Sequence, residues 1–371
     1  MSLALFRNWR TQFYPPKPSF TEKHVGPQNG RVFIVTGGNA GVGFELVKIL
    51  YTTGATIYMA SRSKVSDHAT PSSDAEAWRC REILHPRWKL AVSAPPMRPT
   101  SPVIAIETIT SATSALENPG IVKFLHLDLN DLDIVKLAAA TFARQESKLD
   151  VLWNNAGMGG LILPPGSRTK QGFEAMIGMH CIAAQLFTHL LLPQLRNAVT
   201  NAPKGSVRVV WTSSFLADSH SPTNGIEFNL LEEGTMDRPR NYAQSKAGNW
   251  FLGHEMASRH GSEGIVSVTQ NPGNLRAGSY VGTPALAMLF FDFFFLHDTK
   301  FGGYTELYAG LSPEISLENN GAYVIPWGRI RADEDCPRKD VVNAIKSEAD
   351  GGLGYAAKFW DWCEEQWKPF V

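Results

Sequence analysis

The chain is 371 residues long and 43% apolar, with 35 basic side chains against 35 acidic ones and a formal net charge of zero. A chain of that length and apolar share can fill a substantial core, in one large domain or two ordinary ones. Balanced charge without any block of like charges excludes the basic field that gathers nucleic acid, so no nucleic-acid partner is expected.

The first twenty residues, MSLALFRNWRTQFYPPKPSF, meet an arginine at the seventh position. Their apolar start is too short for a signal-peptide core or a bilayer span. Residues 1–29 therefore read as an N-terminal extension, and the protein as cytoplasmic, with no stable membrane insertion. Cys80, Cys181, Cys336 and Cys363 are scattered and form no CxxC pair, which suggests neither a disulfide framework nor a metal site and fits a reduced cytosol.

Residues 32–36, VFIVT, make a short β-branched apolar run that passes through glycines into the helical pattern GFELVKILYTTG. Strand, tight turn and helix follow directly. Further candidate strands are ATIYMAS (55–61), VKFLHLD (122–128), LDVLWNNAG (149–157), VRVVWTSS (207–214) and IVSVTQNPG (265–273), with helical patterns between most of them. Buried strands alternating with helices predict an α/β fold, a doubly wound parallel sheet covered by helices on both faces. We place it in a single domain over residues 30–371.

The first turn, TGGNAGVG at 36–43, holds Gly37, Gly41 and Gly43 where a chain must fold back tightly, admit a phosphate to its backbone and pack helix on strand. Asn39 and Val42 belong to the same cradle, and the helix after it points its amides at the turn, a natural anion site. A glycine-rich turn alone is weak, because glycines end strands everywhere; the flanking strand and helix strengthen it. The next strand ends in ASRS. A basic residue there welcomes a 2′-phosphate, so Arg62, backed by Lys64, favours NADP(H) over NAD(H); the competing reading is a solvated loop cation. Asp128, closing FLHLD, is placed to meet the adenine ring.

Residues 63–120 exceed an ordinary crossover and include the proline-rich SAPPMRPTSP. The segment VIAIETITSATSAL can supply the crossover helix, which leaves about 66–102 as an insertion, read as a surface feature or a gene-model artefact in preference to a functional lid. Farther on, NNAG at 154–157 adds a second tight turn whose Asn155, Ala156 and Gly157 press backbone on a cofactor, TSS closes a strand, and YAQSK opens a helix. In the region 274–330, expected to border the substrate, TPALAMLFFDFFFLHDTKFGGYTEL is dense in phenylalanine, and Asp292 interrupts its longest apolar run. Core packing, a wall over an apolar substrate and a loose membrane-surface contact are the three readings of it.

In the order TGxxxGxG, NNAG, Ser, YxxxK, these motifs resemble the short-chain dehydrogenase/reductase family. The gap from Ser214 to Tyr242 resembles its retinol-dehydrogenase-like branch, and SKAGN, QNPGNL, YVIPWGRI and KFWDWCEEQWKP resemble fungal members. The resemblance covers about residues 30–370 without the insertion. It implies a Rossmann fold and NADP-dependent hydride transfer between nicotinamide and a carbonyl or secondary alcohol of an apolar small molecule, with secondary metabolism as a setting. Homodimers or homotetramers are implied as well, although an atypical member can be monomeric.

Residues four apart share a helix face, so Tyr242 and Lys246 can enter one pocket. A neighbouring ammonium favours the phenolate and lowers the pKa of a tyrosine that ordinarily titrates near pH 10, making Tyr242 a usable acid or base. The alternative is a surface pair. By the resemblance, Lys246 also holds the nicotinamide ribose, Ser214 (rather than Ser213) bonds the substrate oxygen, and Pro272 and Gly273 turn beside the nicotinamide.

Two departures stand out. The family commonly has an asparagine where IGMHCIAAQLF places His180. Histidine hydrogen-bonds as well but is larger and titrates near neutrality, so His180 reads as a modified relay, as a packing substitution, or as the mark of an impaired enzyme. Ala277 stands where the family often has a threonine that contacts the nicotinamide amide. Together they motivate an alternative, a catalytically impaired dinucleotide-binding sensor or scaffold.

Overall fold

The structure is a computed structural model that describes residues 10–62, 101–112, 116–276 and 295–371. Lys64, Cys80, Ala277, almost all of the expected insertion and about half of the phenylalanine-rich stretch lie outside the described residues.

Six strands fall where the apolar runs placed them: β1 (Val32–Thr36), β2 (Thr56–Ser61), β3 (Ile121–His126), β4 (Val151–Asn154), β5 (Arg208–Thr212) and β6 (Val266–Gln270). Two more, β7 (Tyr323–Ile325) and β8 (Arg329–Arg331), extend the sheet to eight strands in the order β3-β2-β1-β4-β5-β6-β7-β8. Every pairing is parallel except β7 with β8. The sheet is thus a doubly wound Rossmann-type sheet with an antiparallel edge, a common ending for such sheets.

Side chains alternate across the sheet, and both faces are buried. In β1, Val32 and Ile34 join one core while Phe33 and Val35 join the other; in β4, Leu152 faces the first and Val151 and Trp153 the second. That explains why these strands read as unbroken apolar runs.

Helix α1 (Gly41–Tyr51) lays Leu46, Val47 and Leu50 on the second core, together with Leu307 of α8 (Thr299–Leu311). Helix α2 (Pro102–Ala112) occupies the start of the segment expected to supply the crossover, and buries Ala105 and Ile109 there. The first core is covered by α3 (Leu132–Gln145), α4 (Ala175–Leu190) with α5 (Leu192–Val199) after it, α7 (Arg238–His260) and α10 (Tyr355–Trp367). Asp131 caps α3 by accepting from the Asp133 amide at 3.0 Å. Leu132, Val135, Ala138, Ala139 and Phe142 form its single apolar stripe. Two shorter helices are α6 (Phe215–His220) and α9 (Lys339–Ile345).

No single helix among the described residues is long and apolar enough to cross a membrane. The bent pair α4 and α5 passes by length and composition alone, and many of its residues, among them Ile182, Leu186, Phe187 and Leu195, pack into the first core.

Candidate active site

The candidate groups gather at the carboxyl ends of β1, β4, β5 and β6, the crevice where open α/β sheets hold ligands. Between β1 and α1, Gly43 lies so close to the turn that a Cβ would stand 2.5 Å from the Gly37 carbonyl oxygen. Gly41 has φ +55° and nothing within 4 Å of its would-be Cβ, so the α1 N-terminus opens onto a cradle that only glycine shapes without strain. Asn39 and Val42 lie in this turn, and Val42 packs toward Gly302 of α8. Arg62, exposed at the end of β2, lies beyond it.

The NNAG turn is tied to β1 through one threonine. Thr36 donates from Oγ1 to the Trp153 carbonyl at 3.1 Å and accepts the Ala156 amide at 2.8 Å, while Asn155 Nδ2 donates to the Thr36 carbonyl at 2.7 Å. Gly157 is pressed between His180 and Lys246: a Cβ there would stand 3.1 Å from His180 Nε2 and 3.2 Å from Lys246 Nζ. Asp128, after β3, accepts the Asn130 amide at 3.0 Å. Gly273, at φ +94°, takes the turn after β6, where Pro272 precedes it and its amide donates to Asn271 Oδ1 at 3.0 Å.

Tyr242 and Lys246 lie on the same face of α7, whose start is capped by Asp237 accepting from the Arg240 amide at 3.1 Å. The ammonium of Lys246 is 5.7 Å from the Tyr242 ring centroid and donates to the Thr212 carbonyl at 3.0 Å. Burial lowers the Lys246 pKa to about 8. Ser213 and Ser214 part company at the end of β5. Ser213 is buried and donates to the Lys246 carbonyl at 2.8 Å. Ser214 caps α6, accepting the Leu216 amide at 3.2 Å, and hydrogen-bonds the Tyr242 phenol.

His180 lies in α4, which is α-helical at its ends and π-helical over Gly178–Ile182. Such π-bulges are frequent at functional sites. Both ring nitrogens are engaged: Nε2 accepts the Met158 amide at 3.2 Å, and Nδ1 meets Ser245 Oγ at 2.8 Å. Ser245 spends its own proton on the Tyr242 carbonyl at 2.8 Å, so His180 must donate from Nδ1. The imidazole is therefore a neutral Nδ1–H tautomer whose ring meets Tyr242 edge to face at 5.9 Å.

No family model matches the chain. It is 46% identical to the short-chain dehydrogenase/reductase iacJ of Pestalotiopsis fici, over 99% of both chains. It is also 37% identical to a short-chain dehydrogenase/reductase of Phomopsis amygdali, over 100% of this chain and 99% of that one. The chain belongs to the short-chain dehydrogenase/reductase family. Solved structures share its fold at lower identity. An uncharacterised protein from Mycobacterium paratuberculosis matches at 23% identity and a TM-score of 0.57, over 94% of this chain and 97% of that one. NADPH-bound carbonyl reductase from chicken fatty liver matches at 19% and 0.53, over 82% and 99%. As a member of the family the chain is an oxidoreductase acting on CH–OH and C=O groups.

Two electrostatic expectations need correction. His180 does not titrate near neutrality: burial, with the Lys246 charge adding to it, depresses its pKa well below the ordinary histidine value. Nor does Lys246 lower the Tyr242 pKa in this geometry. Burial raises it, and only the Ser214 hydrogen bond pulls the other way.

Sequence reasoning also missed several groups. Behind Lys246, Thr212 Oγ1 donates to Glu306 Oε1 at 2.8 Å and Gln270 Nε2 donates to the same oxygen at 2.7 Å. Full burial raises the Glu306 pKa to about 8. Glu306 sits in the phenylalanine-rich neighbourhood, 60 positions from Lys246, with no spacing to betray it. The N-terminal segment, assigned to an extension, also reaches this end of the sheet: Asn271 Nδ2 donates to Gln12 Oε1 at 2.8 Å. A cleft of about 400 Å³ between α1 and α8, lined by Glu45, Lys48, Asp298, Lys300, Phe301 and Tyr304, contains none of the proposed catalytic side chains.

Proposed function

We propose that the protein is an NADP-dependent dehydrogenase/reductase that interconverts a carbonyl and a secondary alcohol on an apolar small molecule, in fungal secondary metabolism. The observation that carries this reading is the convergence of Ser214, Tyr242 and Lys246 at the carboxyl ends of the strands, beside the glycine turn. The fungal origin of the relatives supports the setting.

The cradle at Gly41, the amides of α1 and the exposed Arg62 fit a dinucleotide carrying a 2′-phosphate. Gly37, Asn39, Val42 and Gly43 would line its phosphates, Asp128 its adenine, and Asn155, Ala156, Gly157, Pro272 and Gly273 the nicotinamide side. When bound, the cofactor supplies or accepts the hydride. Lys246 holds the ribose hydroxyls. Tyr242 passes a proton to the substrate oxygen in reduction, or takes it in oxidation. Ser214 donates to that oxygen as charge grows there. His180 takes no part in proton movement here; it holds the NNAG turn, through Met158, against α7, through Ser245.

We read the enzyme as cytoplasmic and as a homodimer or homotetramer; light scattering tests the oligomeric state. The deciding experiment is fluorescence titration with NADPH and NADH on wild type and Arg62→Glu, followed by turnover on a carbonyl panel with Tyr242→Phe as control. Preference for NADPH that Arg62→Glu abolishes, and turnover that Tyr242→Phe abolishes, are the expected results. NADPH binding without any turnover would favour a sensor.

A further inference from the structure

Residues 10–14 leave the chain's start and run over the carboxyl ends of the strands, where four side chains distant in sequence grip their backbone and Gln12. Asn271 donates to Gln12 Oε1 at 2.8 Å, Asn274 to the Gln12 carbonyl at 3.5 Å, Arg329 to the Thr11 carbonyl at 3.2 Å, and His297 Nε2 lies 2.8 Å from the Phe13 carbonyl. These partners come from the turn after β6, the approach to α8 and the β7–β8 edge. Gln12 is fully buried, and its Nε2 has no hydrogen-bond partner among the described residues.

The clamp fixes Phe13 against Phe215, the residue that follows Ser214 in the chain. The Phe13 ring meets Phe215 edge to face at 5.2 Å, and Phe295 edge to face at 5.3 Å. None of the three rings is fully buried. Three partly exposed aromatic rings, one of them on the residue after Ser214, make an apolar face, and such faces gain from contact with an apolar ring. Packing alone does not require four anchors from three separate elements on one short segment.

We propose that the clamped segment at Gln12 and Phe13 is the outer wall of the substrate site, and that Phe13 selects carbonyl compounds bearing an apolar ring. The inference rests on the reductase reading and deepens it. Phe13 touches the substrate; Gln12 is a positioning residue that holds Phe13 in place.

The test uses the full chain, 1-tetralone as the ring ketone and 2,3-butanedione as the small one, each reduced with NADPH. Tetralone binding is measured alongside by titration calorimetry, with and without NADP⁺. Phe13→Ala should lower the ratio of kcat/KM for tetralone over butanedione by about tenfold, chiefly through KM, and weaken tetralone binding about as much. Gln12→Ala should lower the same ratio less, and the double variant no further than Phe13→Ala. An unchanged ratio, or an equal fall for both ketones with a lower melting temperature, would overturn the wall, as would failure of the wild type to bind tetralone. Tetralone binding that Phe13→Ala weakens without any turnover would overturn the reductase reading and leave the wall standing.

Discussion

Ser213 donates to the Lys246 carbonyl at 2.8 Å, so one serine of the pair ties β5 to the helix that carries the lysine. Its neighbour Ser214 is left at the α6 cap, hydrogen-bonded to Tyr242. The two substitutions should therefore separate. Ser214→Ala is expected to lower kcat by roughly 10²–10³, as for loss of one donor to a developing oxyanion, and stability by only about 1 kcal/mol, the usual cost of losing a helix cap. Ser213→Ala should lower stability by about 1–3 kcal/mol, the usual consequence of stranding a buried partner, and reduce kcat less. Steady-state kinetics with thermal melts would decide, and the reverse pattern would exchange the two roles.

Glu306 gives stability a pH dependence with a definite sign. Its folded pKa, about 8, lies above the unfolded value near 4.5, so the native state binds the extra proton between these limits. The stabilisation attached to that proton is complete below pH 4.5 and is lost as pH rises through 8. Glu306→Gln keeps an acceptor for Thr212 and Gln270 and removes the titration. The variant should melt at least roughly 5 °C above wild type at pH 8 relative to the same difference at pH 5. Parallel melting curves across that range would show that Glu306 is ionised in the fold.

The neutral tautomer of His180 bears on the pH–rate profile. Both ring nitrogens are committed, and burial disfavours its charged form. The acid limb of kcat between pH 5 and 8 should then have the same shape in wild type and His180→Asn, whatever the drop in absolute rate. An inflection near pH 6.5 that the variant lacks would return a titrating role to the histidine.

The parts of this architecture legible in the sequence were those with strong local periodicity. β1, β2, β4, β5 and β6 are buried on both faces and announce themselves as apolar runs, the edge strand β3 keeps a shorter one, and the glycine turn is framed by a strand and a helix. β7 and β8 span three residues each around Pro326 and Gly328, too short for any period to show, and the antiparallel edge went unread. Within the site, Tyr242 and Lys246 were readable because a helix brings fourth neighbours together. Gln12 and Glu306 reach the site through contacts 259 and 94 residues apart in sequence, with Asn271 and Thr212, and nothing local encodes such contacts.

Asp218 and Arg331 make the last test. Arg331 Nη1 lies 2.6 Å from Asp218 Oδ2 with both side chains almost wholly buried, and the guanidinium stacks over Tyr323 at 4.2 Å and Trp250 at 4.9 Å. The pair joins β8 to α6, the helix that Ser214 caps and Phe215 begins. Removing one partner strands the other charge in an apolar setting, which typically costs about 3–5 kcal/mol. Asp218→Ala should therefore lower the melting temperature by several degrees. Because α6 carries Ser214, kcat/KM should fall even at temperatures where the variant is folded. Replacing both residues together, Asp218→Leu with Arg331→Met, removes the stranded charge and should recover much of the stability. If it recovered the melting temperature but not kcat/KM, the ion pair would be acting through the position of α6 rather than through global stability; recovery of both would reduce it to a packing element.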